Sequence, residues 1–175
     1  MRSVKVVVTG PFNAGKTTFI KAISEITVLS TERQVTAVSG EGAGDTTVAM
    51  DFGRITVSDD VVLYLFGTPG QERFSFMWET LSDGMLGFVL LVDARDDESF
   101  ADAASMIRFF KGMSDVPFVV AANRVAPGDS EALQSLRAAI GLEDDVPLLP
   151  LDARDRESVK FVLLGLLHRI LDSIE

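Results

Sequence analysis

Residues 10–17 read Gly-Pro-Phe-Asn-Ala-Gly-Lys-Thr, a complete match to G-x-x-x-x-G-K-[ST], placed directly after the Val-rich run Val4–Thr9. The chemistry of this pattern demands a strand, a tight loop and a helix in that order. Glycines let the backbone curl so that successive N–H groups point inward at a polyphosphate. The N-terminus of the following helix adds its positive end to the same spot. Lys16 supplies a mobile cation for the outer phosphates, and the Thr17 hydroxyl is placed to ligate Mg²⁺. The alternative is a structural glycine turn with a surface lysine. Average residue frequencies put the pattern by chance in well under about one in a hundred chains of this length.

The rest of the chain supplies the scaffold such a loop needs. Short apolar runs alternate with longer amphipathic stretches, the pattern of a parallel sheet covered by helices on both faces. Strands are predicted at Val4–Thr9, Val61–Phe66, Gly87–Val92, Phe118–Ala122 and Leu148–Leu151, with Thr47–Phe52 and Ile55–Val57 forming a hairpin-like pair with Val61–Phe66. Helices are predicted at Lys16–Glu25, Gln71–Leu81, Ser99–Gly112, Ser130–Ile140 and Glu157–Ile174, with Ser99 and Ser130 as N-caps. Ser30–Asp45, with the piece Gly40-Glu41-Gly42-Ala43-Gly44, reads as a long loop and a flexible segment. The fold class is therefore α/β, a single domain over residues 1–175 with a six-stranded, mostly parallel sheet and about five helices.

Composition narrows the function classes. The 175 residues are 47% hydrophobic, enough to fill one core, and include no cysteine, which excludes disulfides, thiolate metal sites and prenyl or palmitoyl anchors. Net charge is −10, with 26 acidic against 16 basic residues, so the surface repels nucleic acid and anionic membranes. The longest uncharged apolar run, Met85–Val92, is far short of the roughly 20 residues of a membrane span. A reducing cytoplasm, with no membrane anchor, is the expected location. His168, the single histidine, reads as structural or solvent-facing, and Asp93 as a cap at a strand end.

The second motif is Gly67-Thr68-Pro69-Gly70-Gln71-Glu72-Arg73-Phe74, at the C-terminal end of a predicted parallel strand, where α/β sheets place their ligands. On these two motifs the chain resembles the Ras superfamily of small GTPases, whose switch II carries Asp-x-x-Gly-Gln-Glu here. Thr47-Val48-Ala49-Met50-Asp51-Phe52 is similar to the switch I exit of Rab-like members. The likeness spans the whole length, strongly as far as Val92. It implies a P-loop NTPase G-domain, a GTP/GDP switch and slow intrinsic hydrolysis. Gln71 would orient the attacking water, with Lys16 as the other catalytic residue. Gly70 N–H would sense the γ-phosphate, and the Thr47 hydroxyl would complete a Mg²⁺ shell begun by Thr17. The nucleotide-binding set is then Gly10, Asn13, Ala14, Gly15, Lys16, Thr17, Thr18, Gly70, Asn123, Arg124, Asp152, Ala153 and Arg154. Arg33 is a candidate arginine finger supplied in cis.

Three positions depart from the family pattern. Gly67 replaces the metal-linked Asp, and Asp51, on the neighbouring strand, is the candidate replacement. The same gap is similar to the MglA-type polarity GTPases and the small GTPases of actinobacterial conservon operons, a resemblance that implies a roadblock/LC7-type dimer as regulator. Asn123-Arg124-Val125-Ala126 stands for Asn-Lys-x-Asp, so the carboxylate that pairs with guanine N1 and N2 is absent unless Pro127-Gly128 folds Asp129 back. Arg124 would stack on the purine. Leu151-Asp152-Ala153-Arg154 stands for Ser-Ala-Lys, with the Ala153 N–H facing guanine O6 and Asp152 serving the loop. The rival readings are a nucleotide-binding scaffold with little hydrolysis and a protein of relaxed purine specificity. Phe74, Phe76, Met77 and Trp78 are divided between core and a partner surface.

Overall fold

The computed structural model describes residues 1–36, 45–71 and 74–175, and of residues 30–36 and 45–49 the backbone alone. The strands are β1 (Arg2–Thr9), β2 (Leu29–Thr36), β3 (Asp45–Ser58), β4 (Val61–Gly67), β5 (Gly87–Asp93), β6 (Phe118–Asn123) and β7 (Leu148–Leu151). The α-helices are α1 (Lys16–Ile23), α2 (Ser75–Ser82), α3 (Phe100–Met113), α4 (Ser130–Ile140) and α5 (Arg156–Ile174). They form the α/β domain expected, with one sheet in the order β2-β3-β4-β1-β5-β6-β7. From β4 through β7 every pairing is parallel; β2 and β3 extend the sheet antiparallel beyond β4.

The sheet has seven strands among the described residues rather than six. Part of the segment read as a loop, Leu29–Thr36, is β2, paired with β3 from Leu29↔Phe52 to Thr36↔Asp45. The glycine-rich piece Gly40–Gly44 lies outside the described residues. Thr47–Phe52 and Ile55–Val57 belong to one 14-residue strand. α1 stops at Ile23, two residues short of the expected end, because the Ser24 hydroxyl accepts hydrogen bonds from Ile26 N and Arg54 N and turns the chain. α2 begins at Ser75, not Gln71, after a turn in which Phe74 N–H donates to Gln71 O. Ser99 precedes α3 without a side-chain cap bond, its hydroxyl donating to Asp96 O. The cap of α4 is Asp129 rather than Ser130, its carboxylate accepting from Ala132 N–H.

Parallel strands buried on both faces need apolar side chains at every position, and the central strands supply them. Val6, Val8, Val89, Leu91, Val119 and Ala121 point toward Phe19 and Ile20 of α1 and Val162 and Leu166 of α5. Val7, Phe88, Leu90, Val120 and Ala122 point toward Trp78 of α2, Phe110 of α3 and Leu136 of α4. Among the described residues no helix is long and apolar enough to cross a membrane.

Phe88 is fully buried and stacks on Phe118 at 4.7 Å between ring centroids, with Phe110 at 5.2 Å. Phe88→Ala is expected to destabilise the fold by about 3–5 kcal/mol in urea unfolding. A loss under about 1 kcal/mol contradicts this packing.

Candidate functional site

The loops that leave β1, β4, β6 and β7 converge at the C-terminal edge of the parallel strands. The β1–α1 loop is tightly determined. Gly10 has φ of 148°, and a Cβ there would lie 2.2 Å from Leu91 O, so the backbone of β5 excludes any side chain. Gly15, at φ of 105°, leaves no room either, because a Cβ would stand 2.5 Å from the Asn123 amide nitrogen. Asn13, at φ of 64°, is of the residue class that tolerates this region. Lys16 Nζ bends back over the loop and donates to Gly10 O at 2.6 Å and Pro11 O at 2.8 Å.

Asp51 reaches the same place from β3. It pairs with Gly67, which pairs with Val8, so these residues share a row across the sheet and face α1. The Thr17 hydroxyl, on the first turn of α1, donates to Asp51 Oδ2. Asp51 is buried, and a Cβ at position 67 would come within 3.2 Å of the Asp51 Cβ and 3.0 Å of Ile20 Cδ1. The space therefore admits one carboxylate, and Asp51 supplies it. The donor set is hard oxygen, a hydroxyl beside a carboxylate, which suits Mg²⁺ shared with phosphate oxygens and water. Among the described residues no three His, Asp or Glu cluster into an all-protein cage.

A cleft of about 560 Å³ opens over these groups, lined by Phe12, Lys16, Thr17, Thr18, Asp51 and Gly70 among others. Gly70 is packed against the loop; a Cβ on it would lie 2.5 Å from Phe12 N and 2.8 Å from Lys16 Nζ. The segment before α2 is pinned by Trp78 Nε1 donating to Pro69 O at 2.8 Å and by the buried Thr68 and Thr9 hydroxyls, 2.8 Å apart. Gln71 follows directly, half-buried, and does not line this cleft. Phe74 and Trp78 are core, whereas Phe76 is exposed. The Thr47 and Arg33 side chains lie outside the described residues.

A second cleft of about 530 Å³ adjoins the first, between the β6–α4 and β7–α5 loops, lined by Asn123, Val125, Ala126, Pro127, Asp152 and Ala153 among others. Asn123 is the hub. Its Nδ2 donates to Ala14 O at 3.0 Å, and its Oδ1 accepts from Arg124 N at 3.1 Å and Ala153 N at 3.2 Å. The Ala153 N–H, expected to face a base, is thus directed to Asn123. Arg124, at φ of 64°, pairs with Asp93. Asp93, read from sequence as a cap, accepts from Arg95 N and anchors that guanidinium. Asp129 does not fold back over the cleft, because its carboxylate caps α4.

Burial lowers the Lys16 ammonium to about 8, against 10.5 in free lysine, and the Asp51 carboxylate partly opposes the shift. Between those pH values the unfolded chain keeps a proton that the folded chain has shed, so stability rises with pH from about 8 to about 10.5. Lys16→Met is expected to remove that rise, up to about 1.4 kcal/mol per pH unit, in urea unfolding across this range. An identical pH profile in the variant contradicts the assignment.

Residues 31–172 match the model of a family described as "Conserved hypothetical ATP binding protein". The match starts beyond the Gly10–Thr17 loop. "Uncharacterized protein MJ1339" of Methanocaldococcus jannaschii is 30% identical over 126 residues, covering 72% of this chain and 73% of that protein. "ADP-ribosylation factor-like protein 8c" of Arabidopsis thaliana is 25% identical over 136 residues, covering 75% of this chain and 66% of that protein. With a complete G-x-x-x-x-G-K-T loop on an α/β sheet and a family match over most of its length, the chain belongs to the family of conserved hypothetical ATP binding proteins, a P-loop nucleotide-binding family.

Proposed function

We propose that the chain is a small GTP-binding switch that hydrolyses GTP to GDP and phosphate in the presence of Mg²⁺. The observation that carries this reading is the meeting of Lys16, Thr17 and Asp51 at the N-terminus of α1, three groups from two distant segments lining one cleft. Thr17 and Asp51 would hold Mg²⁺, with Thr47 as the third oxygen; bound there, the ion would supply positive charge against the outer phosphates.

The chain's own groups account for the rest. Lys16 exchanges its hydrogen bonds to Gly10 and Pro11 for phosphate oxygens and places a cation against the transferred group. Gly70 approaches Lys16 closely enough for its N–H to meet a terminal phosphate. Gln71, one residue further, orients a water for in-line attack on the γ-phosphorus. The bond from that phosphorus to the bridging oxygen breaks, the water's proton passes to the departing phosphate, and GDP is left. The segments around Thr47 and Gly70 would be ordered by the triphosphate and released by hydrolysis. Phe12, at the cleft, and Phe76, on α2, are both largely exposed and are offered as partner surface, to which a roadblock/LC7-type dimer is assigned as regulator, in the cytoplasm.

A second reading, a scaffold that binds nucleotide with little turnover, is favoured by the position of Gln71 outside the cleft lining. Phosphate release above that of Gln71→Leu, measured with the partner present, separates the two. Because the family description names ATP, ATP belongs beside GTP in each assay.

The sharper test is Asp51. With a fluorescent, non-hydrolysable GTP analogue, Asp51→Ala is expected to weaken binding at least about tenfold, or roughly 1.4 kcal/mol, with Mg²⁺ present. Binding in EDTA is expected to change little. Mg²⁺ enhancement equal to that of the parent protein rules Asp51 out as the replacement carboxylate.

A further inference from the structure

Resting on the nucleotide reading above, we propose that Asp152 is the specificity-determining residue for the base: its carboxylate supplies, from the β7–α5 loop, the guanine-reading acceptor that Ala126 lacks on the β6–α4 loop. The two loops face each other across the 530 Å³ cleft, and Asp152 contributes the one carboxylate among its described lining residues. The other candidate, Asp129, is committed to the cap of α4. Asn123 is committed as well, with both ends of its amide bonded to protein groups. Acceptor capacity for a base with two neighbouring donors therefore resides in Asp152.

The present partner of Asp152 has the shape of the ligand inferred. Arg154 Nε donates to Oδ1 at 3.1 Å and Nη2 to Oδ2 at 3.3 Å, a two-pronged fork. The N1–H and N2–H edge of guanine presents the same pair of nearly parallel donors, one to each oxygen. Arg154 is 84% exposed and its pair with Asp152 stands in solvent, where such a bridge is weak and screened by salt. A guanine edge can take its place and leave the guanidinium in water. The loop fixes the Asp152 backbone, its N–H donating to the Ser158 hydroxyl at 2.9 Å and its carbonyl accepting from Asp155 N–H at 3.0 Å, and the Arg154 main-chain N–H donates to the carboxylate Oδ1 at 3.1 Å. Hydrogen bonding from Arg154 holds the Asp152 carboxyl below the usual carboxylate range, so an ionised acceptor faces the cleft at neutral pH. Adenine would present its N1 lone pair to this carboxylate, acceptor against acceptor, and inosine would present one donor instead of two.

The test is titration of the full chain, with Mg²⁺, against fluorescent GDP, IDP and ADP, for the parent, Asp152→Ala, Asp152→Asn and Arg154→Ala. Expected for the parent is GDP binding at least about tenfold tighter than ADP and measurably tighter than IDP. Asp152→Ala is expected to bring the GDP-to-ADP ratio within about twofold of one by weakening GDP while ADP keeps its affinity. The isosteric Asp152→Asn, which preserves the loop, is expected to lower the ratio too. Arg154→Ala is expected to tighten GDP binding, because a competing fork is removed. The inference is overturned if the parent shows no guanine preference, if the ratio survives Asp152→Ala, or if Arg154→Ala lowers it as far as Asp152→Ala does, which marks a structural ion pair. Failure of every nucleotide to bind the parent overturns the nucleotide reading itself, a result distinct from those three.

Discussion

Everything around the Gly10–Thr17 loop depends on β1 being held in register on both of its edges. Val8 pairs with Gly67 on one side and Val89 on the other, and the row continues to Asp51 and Val119. Residues in one row share a face, so Asp51 is carried to the side where Val8, Val89 and Val119 pack beneath α1 and α5. That is also where α1 presents Thr17. Two residues beyond Val8, Gly10 turns the chain against the Leu91 carbonyl at a distance that excludes a side chain. A register slip of one residue would send Asp51 to the opposite face and leave the Thr17 hydroxyl without its partner. The hydrophobic pattern of the central strands, apolar on both faces, thus does more than fill a core; it fixes the coordinates of the charged groups.

Those groups are locally paired in an acidic protein. The chain carries a net charge of −10, yet its acidic groups near the cleft are largely tied to cations or hydroxyls: Asp51 to Thr17, Asp93 to Arg124, Asp152 to Arg154. Lys16 bears the burial cost and holds its proton less firmly than a free lysine. A polyphosphate entering beside it would restore the charged form, which couples binding to proton uptake above about pH 8. Asn123 ties the loops after β1, β6 and β7 together, so the two clefts are parts of one framework.

Much of this was legible in the residues. The phosphate loop, the start of α1 at Lys16, and the bounds of α4 and β7 follow from motif and period alone. The strand β2 was not legible, because an edge strand is held by backbone bonds to one neighbour and its sequence Leu-Ser-Thr-Glu-Arg-Gln-Val-Thr carries no clear alternation. The start of α2 was misplaced because Gln71-Glu72-Arg73 has helical propensity, whereas Phe74 N bonds back to Gln71 O and the Pro69 carbonyl is held by Trp78. Asp129 and Ser130 are both good caps, and only the turn at Pro127-Gly128 decides between them. The pairing of Arg124 with Asp93 is not legible in sequence, because it requires knowing that β5 and β6 end side by side. The nomination of Asp51 needed only strand adjacency; its direction needed the register.

The most direct measurement is a crystal structure with Mn²⁺ and a non-hydrolysable GTP analogue, read by the anomalous signal of the metal. If the row of Asp51 and Gly67 places the replacement carboxylate, the peak lies about 2.1 Å from Thr17 Oγ1 and reaches Asp51 directly or through one water. A peak on the phosphates with Asp51 turned away and no bridging water would contradict that placement, and with it the reason given for the glycine at position 67.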